Sequence, residues 1–259
     1  MNKKKEILSE IFQDCDSEGD YEFNNDFVKK ISTIHGFRNH NDVTKMDHSD
    51  LLPNDILQRG FCVVHLGGGN HKFINCAKDW YHQFEPILES EKEEWDYKPS
   101  LLNHTDNSES NIISMVYNQR LIHKFLYEDI TADPKIYMSR RTKITAEYIA
   151  GDEIISAKSL QMEIDATFEY NREVTIIEGK NSFPSDFSVY QLFHPNLYYH
   201  QKVDNIAKIN CCYILQKKHR NVGIIIRLYL YEFLDNEDIA SIKLLRKKQY
   251  TFKPVNFDE

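Results

Sequence analysis

The strongest constraint on this chain lies between Glu163 and Lys180, where two apolar, β-branched runs flank the dipeptide Asn171-Arg172. Such runs around a short polar pair read as a β-hairpin with a two-residue turn. With Asn171 and Arg172 as the turn, residues whose numbers share one sum stand opposite each other in the antiparallel pair. Asp165 then faces Glu178, and Glu163 faces Lys180. Residues two apart share a face of a strand and opposed Cβ atoms lie about 5 Å apart, so all four polar groups are expected on one patch.

Carboxylates opposed across a strand pair repel, and burial makes the repulsion worse. A divalent cation compensates for it. Hard oxygen ligands at this spacing suit Mg2+, which takes one or two carboxylates, keeps several waters and leaves positions for phosphate oxygens. Bound there, the ion polarises a phosphodiester, lowers the pKa of a water and steadies the leaving oxygen, while Lys180 holds or helps deprotonate the attacking water. Charge and spacing alone equally allow a cross-strand ion pair between Glu163 and Lys180 with Asp165 solvated, an arrangement worth little energetically. The run Val174 to Ile177 favours the first reading. It reads as a strand buried on both faces, where unpaired charge is not tolerated without a purpose.

A length of 259 residues suffices for one large domain or two small ones, and 41% hydrophobic with 28% charged residues is a globular composition. No apolar run approaches the roughly 18 residues of a membrane span, and Lys3-Lys4-Lys5 leads into an amphipathic stretch rather than a signal peptide. A cytoplasmic protein without membrane contact is the expectation. Cysteines 15, 62, 76, 211 and 212 form no CxxC pair, and the histidines lack zinc-site spacing. Reduced, packed thiols are expected.

The net charge of −8 runs against a nucleic-acid partner, but the local distribution does not. Basic clusters stand at Arg140, Arg141 and Lys143, at Lys217, Lys218, His219 and Arg220, and at Arg246, Lys247 and Lys248. All lie in the half of the chain that carries the hairpin. The acidic run Glu89 to Glu94 reads as a solvated helix face.

The N-terminal part, 1–100, reads as an α/β region: helices near Glu6–Phe12 and Asn25–Ile34, a hairpin from Gly60 to Ile74, and a helix from Cys76 to about Phe84. Gly67-Gly68-Gly69 is better read as a hairpin turn than as a phosphate-cradling loop, because no helix starts after it and no Lys-Ser/Thr pair follows. Residues 100–111, with Asn103, Thr105, Asp106, Asn107, Ser108 and Ser110, suggest a flexible connection. Across 112–259 the pattern predicts a helix from Ile112 to about Glu128, extended segments over Ile136–Met138 and Ile144–Ile149, and then the hairpin. A short helix over Pro184–Phe193, capped by Ser182 or Ser185 and ended by Pro195, precedes strands at Ile209–Leu215, Gly223–Tyr231 and Ile242–Phe252. The fold class this implies is α/β (α+β), a mixed β-sheet flanked by helices.

Asp165, a twelve-residue interval and then Glu178-Gly179-Lys180 after Ile176-Ile177 resembles the PD-(D/E)xK nuclease signature. The longer stretches QMEIDATFEYNREVTIIEGKNSFPSDFSVYQLFHP and LYLYEFLDNEDIASIKLLRKKQYTF resemble bacterial type II restriction endonucleases with segments of the form IEVDAxFE, EAKN, DFxxRQLYYP and YxFxDxxDYxSI. The similarity spans roughly 112–252, with a weaker echo in LPNDILQRGFCVVHLGGGNHKFI.

The resemblance implies a PD-(D/E)xK core with an N-terminal α/β extension. It makes Asp165 and Glu178 metal ligands, Lys180 the catalytic lysine, and the Gly179 carbonyl a further metal contact. Glu163, Asn181 and Gln191 become candidates for secondary roles. Gly179 replaces the usual Ala, and Tyr190 stands where the pattern has Arg before Gln191. Exonuclease-type relatives carry Tyr four residues after the Gln, where this chain has Pro195.

The function so implied is Mg2+-dependent, sequence-specific hydrolysis of double-stranded DNA, by in-line attack of water, leaving 5′-phosphate and 3′-hydroxyl ends. Cutting both strands of a symmetric site is most simply done by a homodimer. Arg140, Arg141, Lys143, Lys217, Lys218 and Arg220 are the DNA-contact candidates, for bases or phosphates. The alternatives are a structure-selective repair or mobile-element nuclease of the same chemistry, and a non-catalytic binding module.

Overall fold

The structure is a computed structural model that describes residues 2–98, 100–102, 108–219 and 222–252. Its N-terminal unit consists of α1 (Lys3–Glu18), β1 (Glu22–Asn24), α2 (Asn25–Ile34), α3 (Asn54–Gln58), β2 (Cys62–Gly67) and β3 (Asn70–Ile74). Helix α1 buries Ile7, Leu8, Ile11, Phe12 and Cys15, one stripe at helical spacing, between an Asn2 N-cap and a left-handed Gly19 C-cap. Its stripe packs on the antiparallel sheet β1-β3-β2, and the expected hairpin turns at Gly67-Gly68-Gly69.

The helix expected from Cys76 to Phe84 is cut to α4 (Ala77–Trp80), because Tyr81–Gln83 is drawn out as strand β4. The acidic run is not a helix face either. Glu89–Glu91 form a 3-10 turn and Lys92–Trp95 form strand β5, in register with Gln249–Phe252. Asn103, Thr105, Asp106 and Asn107 of the expected connection lie outside the described residues. Both β4 and β5 precede 100–111 in the chain and pair with strands that follow it, so sheet structure continues across that stretch.

The single helix expected from Ile112 to Glu128 is two, α5 (Glu109–Asn118) and α6 (Leu121–Tyr127). Gln119 explains the break. Its amide exchanges bonds with the Lys98 backbone and its carbonyl accepts from the Trp95 indole, after which Arg120 turns left-handed at φ 60.

Seven strands make the main sheet, in the order β5-β12-β11-β10-β8-β7-β6. They include the long ribbon β6 (Lys135–Ala150) and β7 (Glu153–Tyr170), then β8 (Glu173–Lys180). Strand β9 (Asp186–Ser188), which pairs with β4, and helix α7 (Tyr190–Lys202) lead to β10 (Lys208–His219), β11 (Gly223–Phe233) and β12 (Ile242–Phe252). Pairing is antiparallel except at β8–β10 and β12–β5. The β8–β10 crossover carries α7, as parallel neighbours require.

Helix α7 differs from expectation. It starts late, without a side-chain cap at Val189, and runs through Pro195. Proline at the sixth helical position only withholds a donor from the Gln191 carbonyl four residues back, and burial of Leu192, Phe193 and Leu197 on the sheet offsets that loss.

Ile177, Cys212, Ile214 and Leu228 face α5 and α6. Ile176, Cys211, Tyr213 and Tyr229 belong to the other core, shared with α7 and the N-terminal unit. Strand β8 is therefore covered on both faces, as its sequence predicts. A mixed α+β fold with helices on the sheet is what forms. All five cysteines are free and buried, and no helix among the described residues is long and apolar enough to cross a membrane.

Candidate functional site

The hairpin turns where its sequence predicts, with Asn171 at φ 52 and Arg172 at φ 67, both left-handed as a two-residue turn of this type requires. The register is the predicted one from Tyr170↔Glu173 to Ala166↔Ile177. There the ladder stops. Beyond it β8 stays with β10 as far as Lys180, β7 stays with β6, and a wedge opens between the two hairpin strands. The Asp165 carboxylate takes the place of a ladder acceptor, its Oδ2 accepting from the Gly179 N–H at 2.9 Å.

Into this wedge β8 sends Glu178 and Lys180, two apart and so on one face. Glu178, only 8% exposed, accepts on Oε1 from Lys180 Nζ at 2.8 Å and from Gln191 Nε2 at 3.1 Å. Gln191, from the first turn of α7, is held in turn by Tyr213, whose hydroxyl donates to its Oε1 at 3.0 Å. That bond fixes which end of the amide meets Glu178. A Cβ at Gly179 would lie 3.4 Å from the Glu109 carbonyl and 3.5 Å from Ile113, ordinary contact. Alanine would fit there, so glycine at this point is no obstacle.

Two members of the site escaped the sequence reading. Glu109, at the start of α5, lies 3.1 Å from Lys180 Nζ. Asp47, from the N-terminal unit, accepts from the Tyr190 hydroxyl at 3.4 Å, and its carbonyl accepts from Ser188 N at 2.8 Å. Its charge bears on both Asp165 and Lys180. Tyr190 thus serves as an anchor for the N-terminal unit. An acidic residue directly after the cap-type Ser108 was the one signal available for Glu109; Asp47 had none.

Other expected members fall elsewhere. Glu163 does not meet Lys180: the strands have already parted, and Glu163 instead takes Arg141 across β6–β7 at 2.8 Å. Asn181 is exposed past the end of β8, accepting from Gln216 Nε2 at 3.3 Å. Lys143 lines the same cleft as Asp165. Arg140 stacks over Tyr198 at 5.1 Å, and Lys217 lies 6.0 Å over Phe183; neither lines the cleft, nor does Lys218. Arg220 lies outside the described residues. The cluster Arg246, Lys247 and Lys248 is engaged by Glu128, Glu91 and Glu93 respectively.

Electrostatics set the site's character. Burial, reinforced by the Asp165 charge, pushes Glu178 up to about 8 despite the neighbouring ammonium. Burial likewise raises Asp165, against the pull of the Gly179 N–H and Lys180. For Lys180 burial works downward, but the Glu178 and Glu109 carboxylates outweigh it and hold the ammonium above the usual lysine value.

Among the described residues no group of three or more His, Cys, Asp or Glu side chains is spaced to hold a metal ion. Two carboxylates are nevertheless what Mg2+ ordinarily takes, with water and phosphate oxygens filling the rest of its shell. The bonds to Asp165 and Glu178 fall on Oδ2 and Oε1, which leaves Oδ1 and Oε2 without a hydrogen-bond partner among the described residues. The donor set is one that could take a hard dication, with Asp165 and Glu178 as its carboxylates.

A pH dependence follows. Below pH 8 Glu178 holds a proton that a cation must displace. Calorimetric titration with MgCl2 from pH 6 to 9 is expected to show proton release, with affinity rising by up to about tenfold per pH unit and levelling above about 8. In the metal-free protein the raised carboxyl contributes stability that is fully present below its unfolded value of 4.5 and is lost as pH climbs through about 8. Affinity that stays flat across this range would remove Glu178 from the ligand set.

Residues 76–251 match the family described as "Domain of unknown function (DUF6997)". The chain belongs to that family. Residues 3–73 match a second one, "Domain of unknown function (DUF6996)", so the N-terminal unit and the hairpin-bearing part correspond to separate family segments. No curated protein and no solved structure matches the chain. The DUF6997 segment carries Asp165, Glu178, Lys180, Gln191 and Glu109, and the DUF6996 segment contributes Asp47 to the same site.

Proposed function

We propose that this chain is a Mg2+-dependent endonuclease of double-stranded DNA, with a PD-(D/E)xK core, acting in a restriction system. One observation carries the reading: a buried and a half-buried carboxylate, both with raised pKa values, converge beside a charged lysine where two strands part. Such a group is poised to trade protons for a dication.

Each residue then has a task. Asp165 and Glu178 hold Mg2+, joined by the Gly179 carbonyl, and the ion supplies charge neutralisation at the scissile phosphate and activation of water. Lys180, charged throughout the neutral range, positions the attacking water and offsets charge building on the phosphate; its raised pKa suits it to holding a water rather than to accepting a proton. Gln191 fixes Glu178, and Glu109 helps hold Lys180 in its ionised form. In-line attack leaves 5′-phosphate and 3′-hydroxyl ends, and a homodimer presents two such sites to a symmetric target.

Incubation of the protein with unmethylated phage DNA and MgCl2 tests this. Discrete bands are expected. A smear would favour a structure-selective nuclease of the same chemistry, and intact DNA with Mg2+, Mn2+ and Co2+ alike would turn the reading to a binding module.

A further inference from the structure

The cleft that holds Asp165, Glu178 and Lys180 encloses about 910 Å3, and the DUF6996 segment supplies a second wall: Asn25, Asn41, Lys45 and the turn Gly67 to Asn70. That turn is pinned at both ends. A Cβ at Gly67 would lie 2.0 Å from the Lys158 carbonyl oxygen, an approach made at the bulge of β7 where Ser159 has φ 55. The ribbon's register shifts at this bulge, between Ile144 and Ala146. At the other end the Gly69 carbonyl accepts from Asn25 N at 2.9 Å, and a Cβ on Gly69 would come within 2.9 Å of the Asn25 amide.

Gly68, between them, is different. It is exposed in the cleft, and a Cβ there would meet nothing closer than Asn70 Nδ2 at 3.7 Å. Packing therefore explains the two flanking glycines and not the middle one. The turn holds bare backbone rigidly in a cleft whose other residues are mostly polar, with Leu160, Met162 and Pro195 among them.

The side chains around it suit one kind of ligand. His71, 4% exposed, shares a 2.8 Å bond with Asn25 Oδ1 through Nε2. Because Oδ1 can only accept, the bond places the proton on Nε2 and leaves the Asn25 NH2 as a donor. The Nδ1 of His71 stays buried without a partner among the described residues. Asn41 and Asn70 are exposed carboxamides and Lys45 an exposed ammonium, in a protein whose net charge is −8. Carboxamides pair with base edges, adenine above all, and a lysine with phosphate. Glycine lets the backbone come close to a ligand without a Cβ between them.

We propose that the Gly67–Asn70 turn, with Lys45 and Asn41, is the duplex-contacting wall of this cleft. It holds double-stranded DNA against the carboxylate wall, Lys45 on a phosphate and the turn backbone with Asn70 at base edges. This assignment rests on the nuclease reading. It gives the N-terminal unit the specificity role and replaces the cation that Tyr190 omits from α7.

The test uses full-length protein carrying Asp165→Asn, so that DNA is bound and not cut, with a fluorescein-labelled duplex in CaCl2 at about 50 to 200 mM salt. Lys45→Glu and Gly68→Asp are added singly, and thermal melting confirms that each is folded. Asp tolerates the left-handed backbone at Gly68 better than most residues, so folding is expected to survive. Both are expected to weaken duplex binding about tenfold or more, and Lys45→Glu to lower the slope of log affinity against log salt by about 0.9. Parent-like affinity and slope in both, with the Asp165→Asn protein itself binding duplex, would overturn this inference and leave the nuclease reading standing. If the Asp165→Asn protein binds no duplex and the unsubstituted protein cuts none, the nuclease reading fails and takes this one with it.

Discussion

Replacing Asp165 by Asn is expected to abolish DNA cleavage, by about 10^3-fold or more, without unfolding the protein. Asparagine keeps an oxygen that accepts from Gly179 N, so the bond across the open end of the hairpin survives. What disappears is one of the two anions available to a cation. The Asp165 charge is half-buried and raises its neighbour Glu178, so its removal relieves repulsion in the metal-free state. The metal-free variant should therefore melt no lower than the parent, and its stabilisation by added Mg2+ should shrink. A purely structural ion-pair network makes the opposite forecast, a drop in melting temperature with or without metal. Gel assays of cleavage and melting curves with and without MgCl2 separate the two; undiminished cleavage would remove Asp165 from the chemistry.

The second large effect lies at the seam between the two family segments. Gly67→Ala is expected to destabilise the protein by about 2–5 kcal/mol, combining the left-handed backbone penalty with overpacking. At φ 82 an L side chain is strained, and the added methyl would collide with a backbone carbonyl at 2.0 Å, which no rotamer change relieves. Gly68→Ala, one residue on, meets open space and bears only the backbone penalty, about 1–2 kcal/mol. Urea unfolding of both variants compares them directly. Equal midpoints would mean that the turn does not pack on the β7 bulge.

The hairpin was the most legible part of this chain. Its turn and register depend on residues close in sequence, with an exact period of two, so counting alone gave the pairs from Tyr170↔Glu173 to Ala166↔Ile177. The same counting failed beyond that point, for Asp165 against Glu178, where Asp165 accepts from the Gly179 N–H instead, and for Glu163 against Lys180. Strand pairing ended at Ala166↔Ile177 because β6 and β10 each hold one hairpin strand more extensively than the strands hold each other. Glu163 was thereby left to Arg141, and Lys180 to Glu178 and Glu109. The basic run at Arg246 stood out in the sequence as a cluster of free cations, but the turn before β5, β5 itself and the end of α6 bring Glu91, Glu93 and Glu128 against it. The helix over Ile112–Glu128 kept its apolar period while Gln119, tied to Trp95 and Lys98, broke it.

By itself the sequence determined the local chemistry: a two-residue turn, two carboxylates and a lysine on one face, a strand buried on both sides, and glycines where the backbone turns left-handed. Turn preference, strand alternation and burial are energies of neighbours in the chain, and they are written there. Only the tertiary structure decided that the hairpin opens at its far end, that Glu109 and Asp47 join the site from distant segments, and that the N-terminal turn forms the second wall of the cleft. Those outcomes come from competition among contacts between residues far apart in the chain, and no local pattern records which of them prevails.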